Sequence, residues 1–193
     1  MLFRSTPIIL RVPGPHAISN FLLAASIALA LGISIGSAAA RAPSLRSGDN
    51  RGAVKRLHDD ILLIDDTYNS NPKALLAAIA TLSLAQDRRR VACVGAMLEL
   101  GPTSPELHRE AGRAMGSRVD LLIGVGSLAR EITEGASSLP PQARMFFESS
   151  LDLAAQVAGL VKSRDAVLVK GSRGVHMERV VEALLAAHPV VPA

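Results

Sequence analysis

Ile61-Leu62-Leu63-Ile64-Asp65-Asp66-Thr67-Tyr68-Asn69-Ser70-Asn71-Pro72-Lys73 is the stretch whose reading decides the fold. Four successive apolar residues signal a short buried strand, and that strand ends in two adjacent carboxylates, Asp65 and Asp66. Residues 67–71 read as a polar turn. Asn71-Pro72 then pairs an N-cap with proline at the first helical position, opening a helix that carries Leu75, Leu76, Ile79 and Leu82 inward. In an open α/β sheet, ligands sit outside the carboxyl ends of the strands, where this polar cluster falls. On pattern alone the stretch reads equally well as an ordinary strand–turn–helix with a solvated Asp pair.

Outward from that stretch, apolar runs recur at 91–94, 121–125, 145–147 and 166–169, with amphipathic helices between and after them. Ser104-Pro105-Glu106 is expected to cap a helix bearing Leu107, Ala111, Ala114 and Met115. Another helix carries Leu153, Val157, Leu160 and Val161, and the last carries Met177, Val180, Val181, Leu184 and Leu185. Strands separated by helices of this length imply crossover connections, and hence an α/β fold with a mostly parallel, doubly wound sheet.

The 193 residues amount to about one domain, or one domain and a piece of another, and hydrophobic residues make up 49% of them, enough for a sizeable core. A net charge of +4 could suit nucleic acid. With no Trp, one Tyr and four Phe, however, stacking platforms are nearly absent and no nucleic-acid partner is expected. Arg88-Arg89-Arg90 reads as a solvated loop, and Cys93 as a buried core thiol. Near the start, residues 8–12 read as a strand. Residues 21–40 carry no charge, which in length permits a membrane span and imitates a signal peptide. The stretch is rich in Ala, Ser and Gly, and two shorter buried helices over 17–31 and 34–42 account for it as well. Residues 43–52 form a polar loop, the best linker candidate.

Three further strand–helix junctions carry polar residues. The run Gly95-Ala96-Met97-Leu98-Glu99-Leu100-Gly101 follows the second apolar run. Gly124-Val125-Gly126-Ser127 holds only a lone Gly-x-Gly, and Ser127 reads as a plain N-cap. Lys170-Gly171-Ser172-Arg173-Gly174 sits directly after a buried strand and before the final helix. Its small residues, backbone N–H groups and two cations make it a candidate anion cradle. His108 reads as a surface residue rather than a catalytic base.

Asp65-Asp66-Thr67-Tyr68-Asn69-Ser70-Asn71-Pro72 resembles a signature of the Mur ligase family, in the branch that joins D-alanyl-D-alanine to UDP-N-acetylmuramoyl-tripeptide. Gly95–Gly101 is similar to that family's Gly-Asp-Met-x-Glu-Leu-Gly, with Ala96 replacing the Asp, and Glu106-Leu107-His108-Arg109-Glu110 and Lys170-Gly171-Ser172-Arg173 also look like family segments. Gly14-Pro15-His16-Ala17-Ile18-Ser19-Asn20 resembles Gly-Arg-His-Asn-x-x-Asn near the end of the central ATPase domain, with Pro15 and Ala17 departing from it. Asn50-Arg51-Gly52 looks like the family's Gly-Arg-Gly. The resemblance covers nearly the whole chain. It implies residues 1–47 as a helical remnant of the ATPase domain and 48–193 as the Rossmann-like C-terminal domain.

The resemblance further implies an ATP-dependent amide ligase of peptidoglycan precursor synthesis, cytoplasmic, using ATP and Mg²⁺. Its partners would be UDP-N-acetylmuramoyl-tripeptide and D-alanyl-D-alanine, with the missing N-terminal domains as a further partner if the enzyme is split. The implied contacts are ribose through Asp66, phosphate through Arg51, and the adenine edge through Asn20, Tyr68 and Asn69. Lys170, Ser172 and Arg173 would serve the substrate side. No P-loop segment Gly-x-x-x-x-Gly-Lys-[Ser/Thr] occurs in the sequence, so the chain alone is expected to be inert, with no complete catalytic set and no metal ligands of its own. An apolar face left uncovered on the Ala-rich helices is expected to limit solubility. Two other readings stay open: a non-catalytic Rossmann-like module holding a nucleotide or peptide, and a domain anchored in a membrane through 21–40.

Overall fold

The computed structural model describes residues 5–12 and 14–192, in two compact units divided between Ser47 and Gly48. In the smaller unit, α1 (Pro15–Ala30) and α2 (Ile35–Arg41) are separated by a break at Leu31-Gly32, where Gly32 takes φ +83°. The Ser34 side chain caps α2 by accepting from the Ser37 N–H at 3.1 Å. No helix among the described residues is long and apolar enough to cross a membrane. Both helices form where the sequence implied, but they are not buried. Ala17, Phe21 and Ala25 are covered on α1, while Ile18, Leu22, Leu23, Ile27 and Leu29 are exposed, and α2 buries none of its residues. The cause lies in the sequence: α1 is apolar around most of its circumference, and one small cluster of Phe21, Ala25 and Ala42 covers only one stripe. The expected strand over 8–12 is absent. Ile8 and Leu10 pack on that cluster instead, and no strand among the described residues pairs with their backbone groups.

The larger unit is a six-stranded sheet in the order β1-β2-β6-β3-β4-β5. Its strands are β1 (Ala53–Leu57), β2 (Ile61–Asp66), β3 (Arg90–Gly95), β4 (Leu121–Val125), β5 (Arg144–Phe147) and β6 (Ala166–Lys170). All neighbours are parallel except β1, which pairs antiparallel with β2 through a tight turn where Asp59 and Asp60 adopt φ +59° and +55°. Helices α3 (Pro72–Leu82), α4 (Ser104–Met115) and α5 (Ala129–Gly135) bury Leu75, Ile79, Leu82, Ala111, Met115 and Ile132 against one sheet face. The other face is covered by α6 (Ser150–Ala154), α7 (Val157–Leu160) and α8 (Glu178–Ala187) through Leu153, Val157, Val180, Val181 and Leu184. This is the doubly wound architecture that the alternating pattern implies. Cys93 lies in that second layer, fully buried, and burial pushes its thiol up to about 12.

Asn71 caps α3 as the sequence implies, its Oδ1 accepting from the Ala74 N–H at 2.8 Å with Pro72 in the first turn. Asn71→Ala removes that acceptor and is expected to cost about 1 kcal/mol. The loss should register as a lower urea midpoint at unchanged slope.

Several local expectations are corrected. Ser104 is the first residue of α4, not its cap, and Ser127 lies outside α5, whose start is closed by the Ala129 N–H to the Gly126 carbonyl. The single helix expected around 153–161 is interrupted at Ala155-Gln156, and a capping box between Ser149 and Asp152 opens its first part. Arg88-Arg89-Arg90 is not a solvated loop. Arg88 bonds Asp60, Arg89 bonds Asp165 at 2.6 Å and Arg90 bonds Asp120 at 2.9 Å. Three carboxylates from separate loops thus neutralise the run and tie the amino ends of the parallel strands together.

Candidate functional site

The chain leaves β2, builds β3, β4 and β5 outward, then returns to insert β6 between β2 and β3. That insertion is the point where strand order reverses and where a doubly wound sheet opens a crevice at its carboxyl ends. Register places Asp66 opposite Lys170, and Lys170 opposite Val94. Asp65 and Asp66 point to opposite faces because side chains alternate along a strand. Asp65 is buried and occupied: Lys55 Nζ donates to its Oδ2 at 2.8 Å and Thr67 Oγ1 to its Oδ1 at 2.9 Å.

Asp66 meets Lys170. The Lys170 side chain, 3% exposed, donates through its ammonium to Asp66 Oδ2 at 2.6 Å and to the Asn69 carbonyl at 2.8 Å. Lys170 is therefore not a free cation of an open anion cradle, because a buried ammonium takes the carboxylate and carbonyl that register brings to it. Ser172 is likewise engaged. Its N–H donates to the Ala96 carbonyl at 3.1 Å, its Oγ accepts from the Leu98 N–H at 2.9 Å, and the same hydroxyl reaches the Ser70 carbonyl at 3.3 Å. A 3-10 turn (Arg173–Val175) separates β6 from α8, which starts only at Glu178, so α8 does not open directly on this loop. Lys170 and Ser172 thus staple the loops after β2, β3 and β6 into one rim. The backbones of β3 and β6 approach closely enough that a Cβ on Gly171 would lie 3.1 Å from the Gly95 Cα.

The rim encloses a cleft of about 380 Å³ lined by Tyr68, Asn69, Asn71, Leu98, Glu99 and Arg173, among others. Tyr68 stands on its edge, 41% exposed, with the Arg51 guanidinium 3.8 Å from its ring centroid and that of Arg173 at 5.6 Å. The Tyr68 N–H donates to the Asn50 carbonyl at 2.9 Å, which fixes Arg51 beside the ring. Among the described residues neither Arg51 nor Arg173 has an ion-pair partner, so two cations flank one aromatic edge. Stacking on the ring orients both guanidinium planes without neutralising them. Asn69 Oδ1 accepts from the Ser70 N–H at 2.8 Å, leaving its amide nitrogen outward. Asp66 keeps Oδ1 without a protein partner among the described residues, on a side chain 21% exposed.

The structure therefore brings Arg51, Asp66, Tyr68, Asn69, Lys170, Ser172 and Arg173 into one neighbourhood. Asn20 belongs to the smaller unit, as an exposed residue of α1. Three residues of this site are not marked as such by the sequence: Leu98 and Glu99, inside the Gly95–Gly101 motif, and His108 behind them. His108 is fully buried, not on the surface. Its Nε2 accepts from the Met97 N–H at 2.8 Å, and its Nδ1 lies 2.6 Å from the Ser104 carbonyl. Burial pushes the imidazole below its ordinary 6.5, against the Ser104 carbonyl and the Glu131 carboxylate, which both favour the proton. The signal was available: Ser104, His108, Ala111 and Met115 recur at the spacing of the inward stripe.

Residues 50–173 match the family described as Mur ligase, glutamate ligase domain. The chain is 32% identical over 183 residues to the UDP-N-acetylmuramoyl-tripeptide--D-alanyl-D-alanine ligase of Escherichia coli, covering 93% of this chain and 39% of that one. Among solved structures, MurF from Acinetobacter baumannii superposes with a TM-score of 0.81 at 29% identity, covering 93% of this chain and 39% of that one. MurF from Thermotoga maritima, solved in complex with ADP, gives 0.75 at 27% identity, with 90% and 39% covered. The chain thus spans about two-fifths of the length of these relatives. With the family matched across the sheet, the cleft rim and the Lys170–Arg173 loop, the chain belongs to the Mur ligase family.

Proposed function

We propose that this chain supplies the ribose, phosphate and peptide-side contacts of an ATP-dependent amide ligase that joins D-alanyl-D-alanine to UDP-N-acetylmuramoyl-tripeptide in the cytoplasm. One observation carries the reading: at the sheet's switch point a carboxylate with an open oxygen, Asp66, shares a rim with two unpaired guanidiniums, Arg51 and Arg173, around a cleft. A carboxylate accepts both hydroxyls of a ribose diol, and a planar guanidinium binds phosphate or carboxylate oxygens through two parallel N–H donors. These donors fit a nucleotide. They do not extend to its metal: among the described residues no three His, Cys, Asp or Glu side chains cluster as metal ligands, so no step through Mg²⁺ is assigned to this chain.

In this reading ATP supplies the phosphoryl group that activates the peptide carboxylate. Asp66 orients the ribose, held in its rotamer by Lys170. Arg51 and the Tyr68 edge stand at the phosphate side, and Arg173 faces the acidic peptide substrate. The residues that hold the transferred phosphate in line are not among these, and neither is a complete catalytic set. The purified chain is expected to bind ATP·Mg²⁺ saturably in isothermal titration at pH 8. Asp66→Asn keeps an acceptor for Lys170 but removes the charge facing the ribose, and it should weaken ATP about tenfold, the worth of one charge-assisted hydrogen bond. Inorganic tripolyphosphate, which has no ribose, should bind wild type and variant alike. Absence of saturable ATP binding, or equal loss of both ligands, would sink the reading.

A further inference from the structure

The wall of the cleft formed by residues 97–100 is held from behind by a single imidazole. The Met97 N–H donates to His108 Nε2 at 2.8 Å, so Nε2 must present a lone pair. Nδ1 lies 2.6 Å from the Ser104 carbonyl, an acceptor only, so Nδ1 must carry the proton. The ring is thereby fixed as the neutral Nδ1–H tautomer, in a site with no solvent exposure. An imidazolium has N–H at both positions and would set Nε2–H against Met97 N–H, two donors facing each other. We propose that His108 is the positioning residue of the 97–100 wall, holding it only as this neutral tautomer and releasing it on taking up a proton.

The release is directed at the cleft because the next residue is stapled across it. The Leu98 N–H is held by Ser172 Oγ at 2.9 Å, and the Leu98 side chain lies over Gly174, where a Cβ would meet its Cδ1 at 2.9 Å. A shift at Met97 therefore reaches the wall formed by residues 172–174. The charged groups around His108 are few. On α4 they are Glu106, Arg109 and Glu110, and Glu106 is paired with Arg109 and Arg113. From α5, Glu131 pairs with Arg109, while Arg130 and Glu134 are exposed. The wall itself carries the exposed Glu99, and α3, packed beside α4, contributes only the exposed Lys73. Glu131 pulls toward protonation, but Arg109 occupies it, and burial works the other way.

The sign follows. The folded state prefers the neutral ring, so its affinity for the proton is lower than in the unfolded chain. The stabilisation is complete above the unfolded value near 6.5 and is lost as the pH falls through the folded value below it. The test needs no ligand and so stands apart from the proposed function. In the ¹⁵N-labelled full chain, two-bond ¹H–¹⁵N spectra at pH 8 should show His108 as the Nδ1–H tautomer. On titration to acid, the Met97, Leu98 and Ser172 amides should move together with the His108 ring, at a midpoint below 6.5 and before global unfolding. His108→Gln offers a carbonyl oxygen at the same reach and cannot take up a proton in this range, so those amides should become insensitive to pH. If that variant does not fold, the wild-type titration decides alone. An Nε2–H tautomer or an imidazolium at pH 8, a Met97 amide that stays still while His108 titrates, or cooperative unfolding without prior movement of these amides would each overturn the proposal. If ATP binds as proposed above, its affinity should fall over the same pH window in wild type and not in His108→Gln.

Discussion

Gly112→Ala is expected to destabilise the larger unit by about 3 kcal/mol or more, a large share of the roughly 5–15 kcal/mol that holds a domain folded. Helices α4 and α5 cross backbone to backbone. A Cβ on Gly112 would sit 2.1 Å from the Ile132 carbonyl oxygen, 2.9 Å from its carbon and 3.0 Å from the Ala136 nitrogen. The approach is reciprocal, for a Cβ on Gly135 would lie 2.2 Å from the Arg109 carbonyl oxygen. None of these neighbours is the free end of a side chain, so relief requires the helices to separate, which opens the layer containing Ile132, Ala111 and Met115.

The intrinsic helix propensity argues the other way. Alanine inside a helix is favoured over glycine by about 1 kcal/mol, so a loose crossing would make Gly112→Ala stabilising. The two outcomes differ in sign, and urea denaturation followed by circular dichroism separates them. Gly116→Ala serves as the contrast: its Cβ would meet Ser138 Oγ at 1.9 Å, but a surface hydroxyl can rotate away, and a change within about 1 kcal/mol is expected. The crossing also bears on the cleft. Gly112 lies one turn beyond His108 on the same inward stripe, so helix separation should also move the Met97 amide.

Of the strands legible in the sequence, β2, β3, β4 and β6 are interior to the sheet and read as continuous apolar runs, while the half-buried edge strand β5 is legible only through Met145–Phe147. The edge strand β1 does not stand out as an apolar run. Lys55 and Arg56 interrupt it, and it contributes little beyond Leu57 to the core. Residues 8–12 looked like a strand for the complementary reason, since an apolar run with no partner is indistinguishable from one with a partner until the sheet is known. At the site, the loops were legible and the pairings were not. Arg88, Arg89 and Arg90 reach aspartates 28, 76 and 30 residues away, separations that no local window spans. Asp66 and Lys170 stand 104 residues apart, and only the register of β2 against β6 makes them partners. A loop's composition marks it as polar, but whether its polar atoms face a ligand or each other is decided by strand order.

Lys170→Met is expected to cost about 3 kcal/mol and to abolish nucleotide binding without removing a ligand contact. Methionine fills nearly the same volume as lysine, so packing is largely kept and the change isolates the charge. Removing one partner of a buried pair leaves the other uncompensated, at about 3–5 kcal/mol. The lower end applies here because Asp66 retains some contact with water, its side chain being 21% exposed against 3% for Lys170. The Asn69 carbonyl also loses its donor, so the turn carrying Tyr68 and Asn69 loosens at both ends. Combining Lys170→Met with Asp66→Asn removes the orphaned charge, and the double variant should recover much of the stability while still failing to hold ribose. A coupling of 1–3 kcal/mol in that cycle identifies the pair as the element that sets the rim. If Lys170→Met alone costs under about 1 kcal/mol, the ammonium is a replaceable filler, and the position of Asp66 must be set by the β2 backbone. In that case the variant should bind ATP like wild type, so stability and affinity measured on one variant decide between a register-imposed ion pair and a rigid strand end.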